Sequence, residues 1–220
     1  MNLKLIASNI FKGYNGNAVL HDCSYSFEES GIYVLTGPNG CGKSTFLRIC
    51  ALIEQPDSGD INFISAGKQT PKDLALKRRI TLVLPKVGIF NTTVVKNAAY
   101  GLAIRGIKGQ EAKERVDKVL DFVGLAHKKE QNALTVSSGE AQRLGIARAL
   151  VIEPEILFLD EPTASVDQKN TAIIEDIVKK MKQERSVTVI MTTHDKEQAS
   201  RLSDRLLVMK DGAILSTVGR

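Results

Sequence analysis

The stretch Gly37-Pro38-Asn39-Gly40-Cys41-Gly42-Lys43-Ser44-Thr45 matches the pattern G-x-x-x-x-G-K-[ST] of a phosphate-binding loop. An apolar run at Ile32–Thr36 precedes it and a helical pattern at Lys43–Leu52 follows it, which is the context that such a loop requires. Glycines allow backbone N–H groups to surround an anion, and the following helix adds the positive end of its dipole. The stretch therefore predicts a nucleoside triphosphate site in which Lys43 reaches the β- and γ-phosphates and Ser44 ligates Mg²⁺.

Apolar runs alternate with helical patterns along most of the chain. The apolar runs are continuous, which is typical of strands buried on both faces of a parallel sheet. The alternation predicts an open α/β sheet with crossover helices. The predicted strands are Ile32–Thr36, Ile80–Leu84, Ile156–Asp160, Val187–Thr192 and Arg205–Met209, and the predicted helices are Lys43–Leu52, Gln110–Val123, Gly139–Val151, Gln168–Glu184 and Lys196–Leu202.

Two segments depart from this alternation. The first roughly 30 residues contain turn signals at Gly13 and Asn15-Gly16, which predict short strands in a small antiparallel β layer. From about Pro85 to Val151 the chain shows helical patterns without a convincing strand, which predicts a helical insertion into the sheet. We expect one domain over residues 1–220, with a core at 1–84 and 152–220 and a helical subdomain at 85–151.

Charged side chains follow two of the predicted strands. Asp160 and Glu161 come directly after the apolar residues Ile156–Leu159, and His194 follows the run Val189–Thr193. In an open α/β sheet, ligands bind at the carboxyl ends of the strands. We expect Asp160 to hold Mg²⁺ directly or through water, Glu161 to act as the base toward the attacking water, and His194 to reach the γ-phosphate.

Composition narrows the class of protein. The chain is 43% hydrophobic and 25% charged, values near the average for soluble globular domains, which argues against disorder and fibrous repeats. Its longest apolar runs are far shorter than the roughly 18 residues that a membrane span needs. Three unclustered cysteines, Cys23, Cys41 and Cys50, fit a reducing cytoplasm. The net charge of +5 is spread along the chain, so we expect no nucleic-acid partner.

A further motif decides among the kinases, GTPases and ATPases that share a phosphate loop. Val136-Ser137-Ser138-Gly139-Glu140-Ala141-Gln142-Arg143 resembles the LSGGQ signature of the ATP-binding-cassette (ABC) ATPases. Ala164-Ser165-Val166-Asp167 is similar to the D-loop of that family, and His194-Asp195 to its switch histidine. The resemblance covers essentially all 220 residues. It implies a P-loop NTPase with a RecA-like parallel-sheet core, an N-terminal antiparallel β layer and a helical subdomain, which binds ATP and Mg²⁺ and hydrolyses ATP to ADP and phosphate.

The same resemblance implies further ATP contacts and several partners. Tyr14 lies where the family places an aromatic ring that stacks on adenine. Ser137, Gly139 and Glu140 would cap the γ-phosphate held by a second copy of the chain, so that two chains sandwich two ATP molecules. The family works with an integral-membrane permease and, indirectly, with a substrate-binding protein. The chain would then be cytoplasmic, on the inner face of the cell membrane.

A narrower resemblance concerns the cargo. Ile80–Leu84 followed by Phe90–Val94 and Asn97–Leu102 is similar to the ATPases of tungstate and molybdate importers, and phosphate importers share part of that segment. Two positions depart from the family pattern: Ser138 replaces the first Gly of the signature, and Pro85 stands at the Q-loop, where the family has Gln. A soluble ABC-type ATPase that is not tied to transport and a weakly hydrolysing regulatory subunit therefore remain alternatives.

Overall fold

The computed structural model describes residues 3–185 and 187–219, so Met1, Asn2, Ser186 and Arg220 of the expected domain lie outside the described residues. The chain divides into two compact units. The first comprises Met1–Leu82, Glu155–Glu161 and Val178–Arg220, and the second comprises Val83–Pro154 and Pro162–Ile177. Among the described helices, none has both the length and the apolar character that crossing a membrane requires.

Strands and helices alternate over most of the described chain. In chain order they are β1 (Lys4–Tyr14), β2 (Asn17–Phe27), β3 (Ile32–Thr36), α1 (Lys43–Cys50), β4 (Ser58–Ser65), β5 (Lys68–Thr70), α2 (Leu74–Lys77), β6 (Ile80–Val83), α3 (Val94–Ile104), α4 (Gly109–Phe122), α5 (Ser138–Leu150), β7 (Ile156–Leu159), α6 (Gln168–Arg185), β8 (Thr188–Thr193), α7 (Lys196–Leu202), β9 (Arg205–Lys210) and β10 (Ala213–Gly219), with short 3₁₀ helices at Ala126–Lys128 and Ala133–Thr135.

The larger sheet has the order β10-β9-β3-β8-β7-β6 within the described residues. Strand β3 pairs in parallel with β8 and β9, and β7 pairs in parallel with β8. Every residue of β3, β7 and β8 is buried, as expected for strands covered on both faces. The prediction of an α/β fold with a parallel sheet is confirmed. The edge strand β10, antiparallel to β9, was not predicted because Ala213–Gly219 lacks a continuous apolar run.

The smaller sheet is antiparallel and has the order β2-β1-β4-β5 in the described chain. The prediction of a small antiparallel β layer near the amino terminus is confirmed, but its first two strands are longer than predicted, since β1 and β2 have 11 residues each. Asn15 and Gly16 join them in a two-residue turn with φ of 50° and 79°, the backbone that a tight hairpin needs. Strands β4 and β5 were not predicted. The partners of β4 on β1 lie about fifty to sixty residues earlier in the sequence, as for Leu5 and Phe63, and β5 has only 3 residues.

The predicted helices are present with ends shifted by no more than two residues, and α7 has the predicted ends. Two further helices, α2 and α3, were not predicted. Each begins at a side-chain cap: Asp73 accepts a hydrogen bond from the N–H of Leu76, and Thr93 accepts one from the N–H of Lys96. In the second unit α3 packs against both α4 and α5.

The core of the first unit fixes the position of α1. Phe46 and Leu47 of α1 are fully buried in one cluster with Leu5 and Phe63 of the smaller sheet and Phe158 of the larger sheet. Burying side chains of this size contributes about 1.5–3 kcal/mol each. Because the loop residues Lys43, Ser44 and Thr45 form the first turn of α1, this packing also fixes the end of the phosphate loop.

Ion pairs fix the amino ends of the central strands. The Asp204 carboxylate accepts hydrogen bonds from the N–H of Ile32 at 2.8 Å and from Lys182 Nζ at 2.6 Å. Partial burial raises the pKa of Asp204, but these hydrogen bonds outweigh it, so its pKa lies below the usual value. At the start of β7, the Glu155 carboxylate accepts hydrogen bonds from Arg79 at 2.5 and 2.9 Å. These contacts fix the starts of β3 and β7.

Candidate active site

The residues predicted to bind phosphate and metal and to act on water follow three neighbouring strands. Strand β8 lies between β3 and β7 in the larger sheet, and all three run parallel. Their carboxyl ends lead into the phosphate loop after β3, Asp160 and Glu161 after β7, and His194 after β8. The strand order therefore brings segments that are more than a hundred residues apart in sequence to one edge of the sheet.

The phosphate loop closes around a lysine. Gly42 has a φ of 102°, and a Cβ there would lie 2.7 Å from Leu20 Cδ2, so a larger residue does not fit. Lys43 is 5% exposed, and its Nζ donates to the carbonyl oxygens of Gly37 at 2.9 Å and Pro38 at 3.1 Å. The loop thus holds a buried ammonium group at its centre with backbone oxygens as partners.

The other predicted loop residues differ in exposure. Asn39 and Gly40 are exposed, whereas Cys41 is buried and its N–H donates to the Pro38 carbonyl at 3.3 Å. Thr45 is buried in the first turn of α1, and its Oγ1 accepts a hydrogen bond from Arg48 at 3.2 Å. The loop therefore presents its middle to solvent and its two ends to the protein.

The predicted metal ligands lie in contact with each other. Ser44 Oγ donates to Asp160 Oδ1 at 2.8 Å, and Asp160 is 2% exposed. Thr192, in β8, donates from Oγ1 to the same carboxylate oxygen at 2.7 Å and accepts the N–H of Glu161 at 2.9 Å. Thr192 was not predicted, although a threonine at the end of an otherwise apolar strand is a usable signal. It therefore connects the Asp160 carboxylate to the backbone of Glu161.

Glu161 contacts both a cation and an imidazole. Its Oε1 lies 3.7 Å from Lys43 Nζ, and its Oε2 lies 2.8 Å from His194 Nδ1. The Glu161 backbone has a φ of 43°, a conformation that is uncommon outside glycine. His194 is about half exposed, whereas the Glu161 carboxylate is mostly covered. The arrangement aims one partly desolvated carboxylate at the centre of the phosphate loop.

The tyrosine predicted to contact a base ends β1, next to the Asn15-Gly16 turn. Tyr14 is 39% exposed, and its hydroxyl donates to the Glu54 carboxylate. Lys12 Nζ lies 5.6 Å from the centre of its ring. The ring is thus held at its edge while part of its surface stays open to solvent.

The predicted signature residues, in the second unit, form the amino end of α5. Ser137 is the N-cap: its Oγ accepts the N–H of Glu140 at 3.3 Å, and the Glu140 carboxylate accepts the N–H of Ser137 at 2.9 Å. A hydrogen bond from Lys128 lowers the pKa of Glu140 most, and the hydrogen bond from the Ser137 N–H lowers it further. Burial raises this pKa, but the net effect keeps it below its usual value. The Glu140 side chain therefore caps its own helix.

Gly139 lies so close to Asn170 that a residue with a side chain does not fit there. A Cβ at this position would lie 2.4 Å from Asn170 Cγ. Asn170 is in turn fixed by Asp167, which accepts its N–H at 3.0 Å and its side-chain amide at 2.7 Å. The residue that resembles the end of a D-loop thus supports the side chain that packs on the signature glycine.

Known proteins similar to this chain identify its family. The ABC transporter family profile matches residues 20–164. A phosphate import ATP-binding protein of Natronomonas pharaonis is 38% identical over 96% of this chain and 78% of its own length. The chain belongs to the ABC transporter family. It is an ATPase, as the ATP-binding chains of this family are, and the family-level resemblance seen in the sequence is confirmed.

Two other relatives of this ABC chain extend the comparison. A spermidine/putrescine import ATP-binding protein of Spiroplasma citri is 40% identical over 94% of the chain, which spans only 59% of that protein. The solved structure of CbiO1 from Clostridium perfringens, part of the ABC transporter complex CbiONQ, has a TM-score of 0.86 and 28% identity, covering 97% of this chain and 87% of that one. Because the named cargoes differ, these relatives do not single out tungstate or molybdate.

The loop that carries Pro85 is attached to the signature helix of the ABC chain. Strand β6 ends at Val83, one residue earlier than predicted, and Pro85 is exposed. Val87 packs against Gly145 of α5 so closely that a Cβ at Gly145 would lie 2.5 Å from it. Arg148 of the same helix donates to the Gly88 carbonyl at 2.9 Å. The loop is therefore connected to α5 independently of the residue at position 85.

Proposed function

We propose that this ABC chain is the subunit that binds and hydrolyses ATP to energise an importer. The supporting observation is that Lys43, Ser44, Asp160, Glu161 and His194 lie together at one edge of the larger sheet. A lysine that can bind phosphate, a hydroxyl and a carboxylate that can hold Mg²⁺, and a carboxylate that can act as a base suit transfer of a phosphoryl group to water, and an imidazole beside them can contact the γ-phosphate. Their separate roles follow from their contacts.

Lys43 binds the β- and γ-phosphates. Its ammonium group now donates to two backbone carbonyls, at 2.9 and 3.1 Å, which are neutral acceptors. Phosphate oxygens carry negative charge and form stronger hydrogen bonds with an ammonium group than neutral carbonyls do. The N–H groups of the loop and the amino end of α1 complete the phosphate site.

Ser44 and Asp160 would hold Mg²⁺. Their oxygens are 2.8 Å apart, and both are hard oxygen ligands of the kind that Mg²⁺ prefers. The ion would supply positive charge to neutralise the phosphate oxygens. Thr192 keeps Asp160 oriented through its 2.7 Å hydrogen bond.

Glu161 takes a proton from the attacking water. One of its oxygens contacts His194 at 2.8 Å, and the other faces Lys43 at 3.7 Å, so the carboxylate lies next to the place of the γ-phosphate. General bases contribute about 10²–10⁴-fold to the rate. His194 fixes the orientation of the carboxylate and, from its exposed position, contacts the γ-phosphate.

The signature binds ATP held by a second copy of the chain. The amino end of α5 has the orientation of backbone N–H groups and the dipole that attract an anion. Ser137, Gly139 and Glu140 lie there, and the close fit of Gly139 against Asn170 sets the backbone position. We infer that two copies enclose two ATP molecules, so that binding joins the copies and hydrolysis releases them.

An exposed aromatic pair is the contact for the permease. Phe90 and Tyr100 are each nearly half exposed, with ring centres 4.5 Å apart, and Arg148 lies 5.1 Å from the Phe90 ring. Buried Asn97 holds the backbone of Phe90 through hydrogen bonds of 3.0 Å to its N–H and its carbonyl. Exposed apolar side chains held side by side mark protein interfaces. This contact would place the chain on the inner face of the membrane, in the cytoplasm.

The proposed cargo is an oxyanion such as tungstate or molybdate, delivered to the permease by a substrate-binding protein. The proposal rests on the resemblance of Ile80–Leu84, Phe90–Val94 and Asn97–Leu102 to importers of those ions, and on the phosphate import relative. Phosphate, tungstate and molybdate are tetrahedral oxyanions, so related importers for them are chemically reasonable. The ATPase subunit does not touch the cargo in this scheme.

Turnover and co-purification test the proposed function. We expect the purified chain to hydrolyse ATP and to co-purify with its permease, and the assembled complex to be stimulated by a binding protein loaded with tungstate or molybdate. Stimulation by phosphate alone would contradict the cargo and leave the ATPase role intact. Hydrolysis without permease binding would favour a soluble ABC-type ATPase. Permease binding with negligible hydrolysis would favour a regulatory subunit, which Pro85 and Ser138 make the second candidate.

Replacing Pro85 by Gln is expected to raise the permease-stimulated rate of ATP hydrolysis and to leave the ATP Kd within a few-fold. Proline has no side-chain amide and no backbone N–H, so it can neither contact the water shell of Mg²⁺ nor donate to a neighbouring loop. Because Pro85 is exposed and its loop is attached to α5 through Val87 and Gly88, the variant should fold normally. Basal and stimulated rates are compared with those of the unmodified chain.

An unchanged basal and stimulated rate in the Pro85→Gln chain would contradict this view. It would mean that another group, such as Lys86 or a backbone carbonyl, already fills the role of the amide.

A further inference from the structure

Tyr14 is fixed by a charged network that the phosphate loop shares. The Glu54 carboxylate accepts the Tyr14 hydroxyl and Arg48 Nε, the latter at 3.1 Å. Arg48 Nη2 lies 3.4 Å from the Tyr14 hydroxyl and donates to Thr45 Oγ1 at 3.2 Å. One guanidinium group therefore contacts both the predicted base-stacking ring and a residue of the phosphate loop.

Lys12 completes this network. Its Nζ lies 3.8 Å from Glu54 Oε1, and it donates to Asp57 at 2.9 Å. Asp57 also accepts the N–H of Gly13 at 2.7 Å, which fixes the backbone directly before Tyr14. Burial raises the pKa of Glu54, but the hydrogen bonds from Tyr14 and Arg48 outweigh it, so the net effect lowers that pKa and the carboxylate stays ionised at neutral pH.

We propose that Arg48 and Glu54 are positioning residues that hold the Tyr14 ring ready for adenine and join it to the phosphate loop through Thr45. The proposal rests on the proposed function, in which Tyr14 stacks on the base. Lys12 lies over one face of the ring, so the base stacks on the other face. We call Arg48, Glu54 and Lys12 the clamp.

The clamp affects affinity through preorganisation. Tyr14 lies at the end of a hairpin and is 39% exposed, so without the clamp its side chain would sample other rotamers. Ordering such a side chain when ligand binds weakens affinity, by roughly three- to tenfold for one group. This gain in affinity is specific to ligands that carry a base, because the clamp positions the Tyr14 ring. It does not change Lys43 or Ser44, which contact the phosphates and Mg²⁺ in the proposed function.

The test measures the Kd of two ligands, Mg-ATP and Mg-tripolyphosphate, the second of which has no base. Tyr14→Phe, which keeps the ring and removes only the hydroxyl, and Glu54→Ala are each expected to weaken ATP binding about three- to tenfold and to change tripolyphosphate binding less than twofold. The double variant should lose less than the product of the single effects, because both changes remove one hydrogen bond. Glu111→Gln is the matched control, since it removes an exposed 2.9 Å ion pair with Arg115 elsewhere in the chain.

The outcomes separate the clamp from the proposed function. Equal weakening of both ligands would show that the clamp only supports α1, and unchanged ATP binding would show that it positions nothing. Both results overturn the proposal. If Tyr14→Ala binds ATP normally while Lys43→Ala binds neither ligand, the positioning role of the clamp is wrong and the phosphate-binding role of the loop is supported. If Lys43→Ala binds both ligands normally, the proposed function itself fails.

Discussion

The Lys43→Ala chain is expected to lose tight ATP binding. Lys43 is the buried cation at the centre of the phosphate loop, and its Nζ can exchange two carbonyl oxygens for phosphate oxygens. Two charged hydrogen bonds contribute about 3–6 kcal/mol, so the Kd for Mg-ATP should rise by about 10²–10⁴-fold. Calorimetry or equilibrium dialysis with Mg-ATP measures the loss.

A matched control separates this effect from a general loss of positive charge. Lys113→Ala removes an exposed lysine from α4, and its ATP Kd should stay that of the unmodified chain. A thermal unfolding scan of the Lys43→Ala chain checks that the loop variant is folded. A folded Lys43→Ala chain with a nearly unchanged Kd would show that the phosphate loop is wrongly assigned.

The Glu161→Gln chain is expected to bind ATP and to hydrolyse it about 10²–10⁴-fold more slowly. Glutamine keeps the shape of the side chain and a hydrogen-bonding oxygen toward His194, but an amide cannot take the proton of the attacking water. The change also removes the negative charge of Glu161, 3.7 Å from Lys43 Nζ. In the unmodified chain this charge repels the phosphates of ATP. Binding should therefore be retained while the rate of the chemical step falls.

The same variant should accumulate an ATP-dependent homodimer, since hydrolysis no longer releases the two copies. Gel filtration is expected to show earlier elution with Mg-ATP and no shift with Mg-ADP. Glu197→Gln, in which the replaced carboxylate is almost fully exposed on α7, is the control and should keep both turnover and elution. Normal turnover in Glu161→Gln would exclude Glu161 as the base. A monomer at high ATP concentration would mean that the sandwich is wrong for this chain or that its formation needs the permease.

Several local features of the fold were predicted correctly because their causes lie within a few residues. Gly40 and Gly42 provide the backbone freedom of the phosphate loop, and a buried strand precedes it directly. Helix α7 was predicted with its observed ends, and Asp195 caps it by accepting two backbone N–H groups. Such contacts are encoded by residue type and short spacing.

The smaller sheet shows where sequence patterns were not enough. Strand β4 buries Ile61 and Phe63 in alternation, but its first residues are exposed and polar. Its partner β1 is some fifty residues away, and register shifts interrupt the ladders on both sides of β1. Pairing at that separation depends on the complete fold, so a short mixed pattern does not predict it.

The sequence by itself determined the family and predicted the phosphate loop and the acidic and imidazole groups of the site, because these depend on residue types at fixed spacing. Only the tertiary structure decided which atoms meet. Ser44 meets Asp160 across 116 positions, Thr192 joins Asp160 to Glu161, and His194 pairs with Glu161. The connection of Tyr14 to Thr45 through Arg48 and Glu54 was equally invisible in the sequence. The physical reason is that these distances follow from the order of strands β3, β8 and β7 and from the packing of α1 between the two sheets, and spacing along the chain specifies neither.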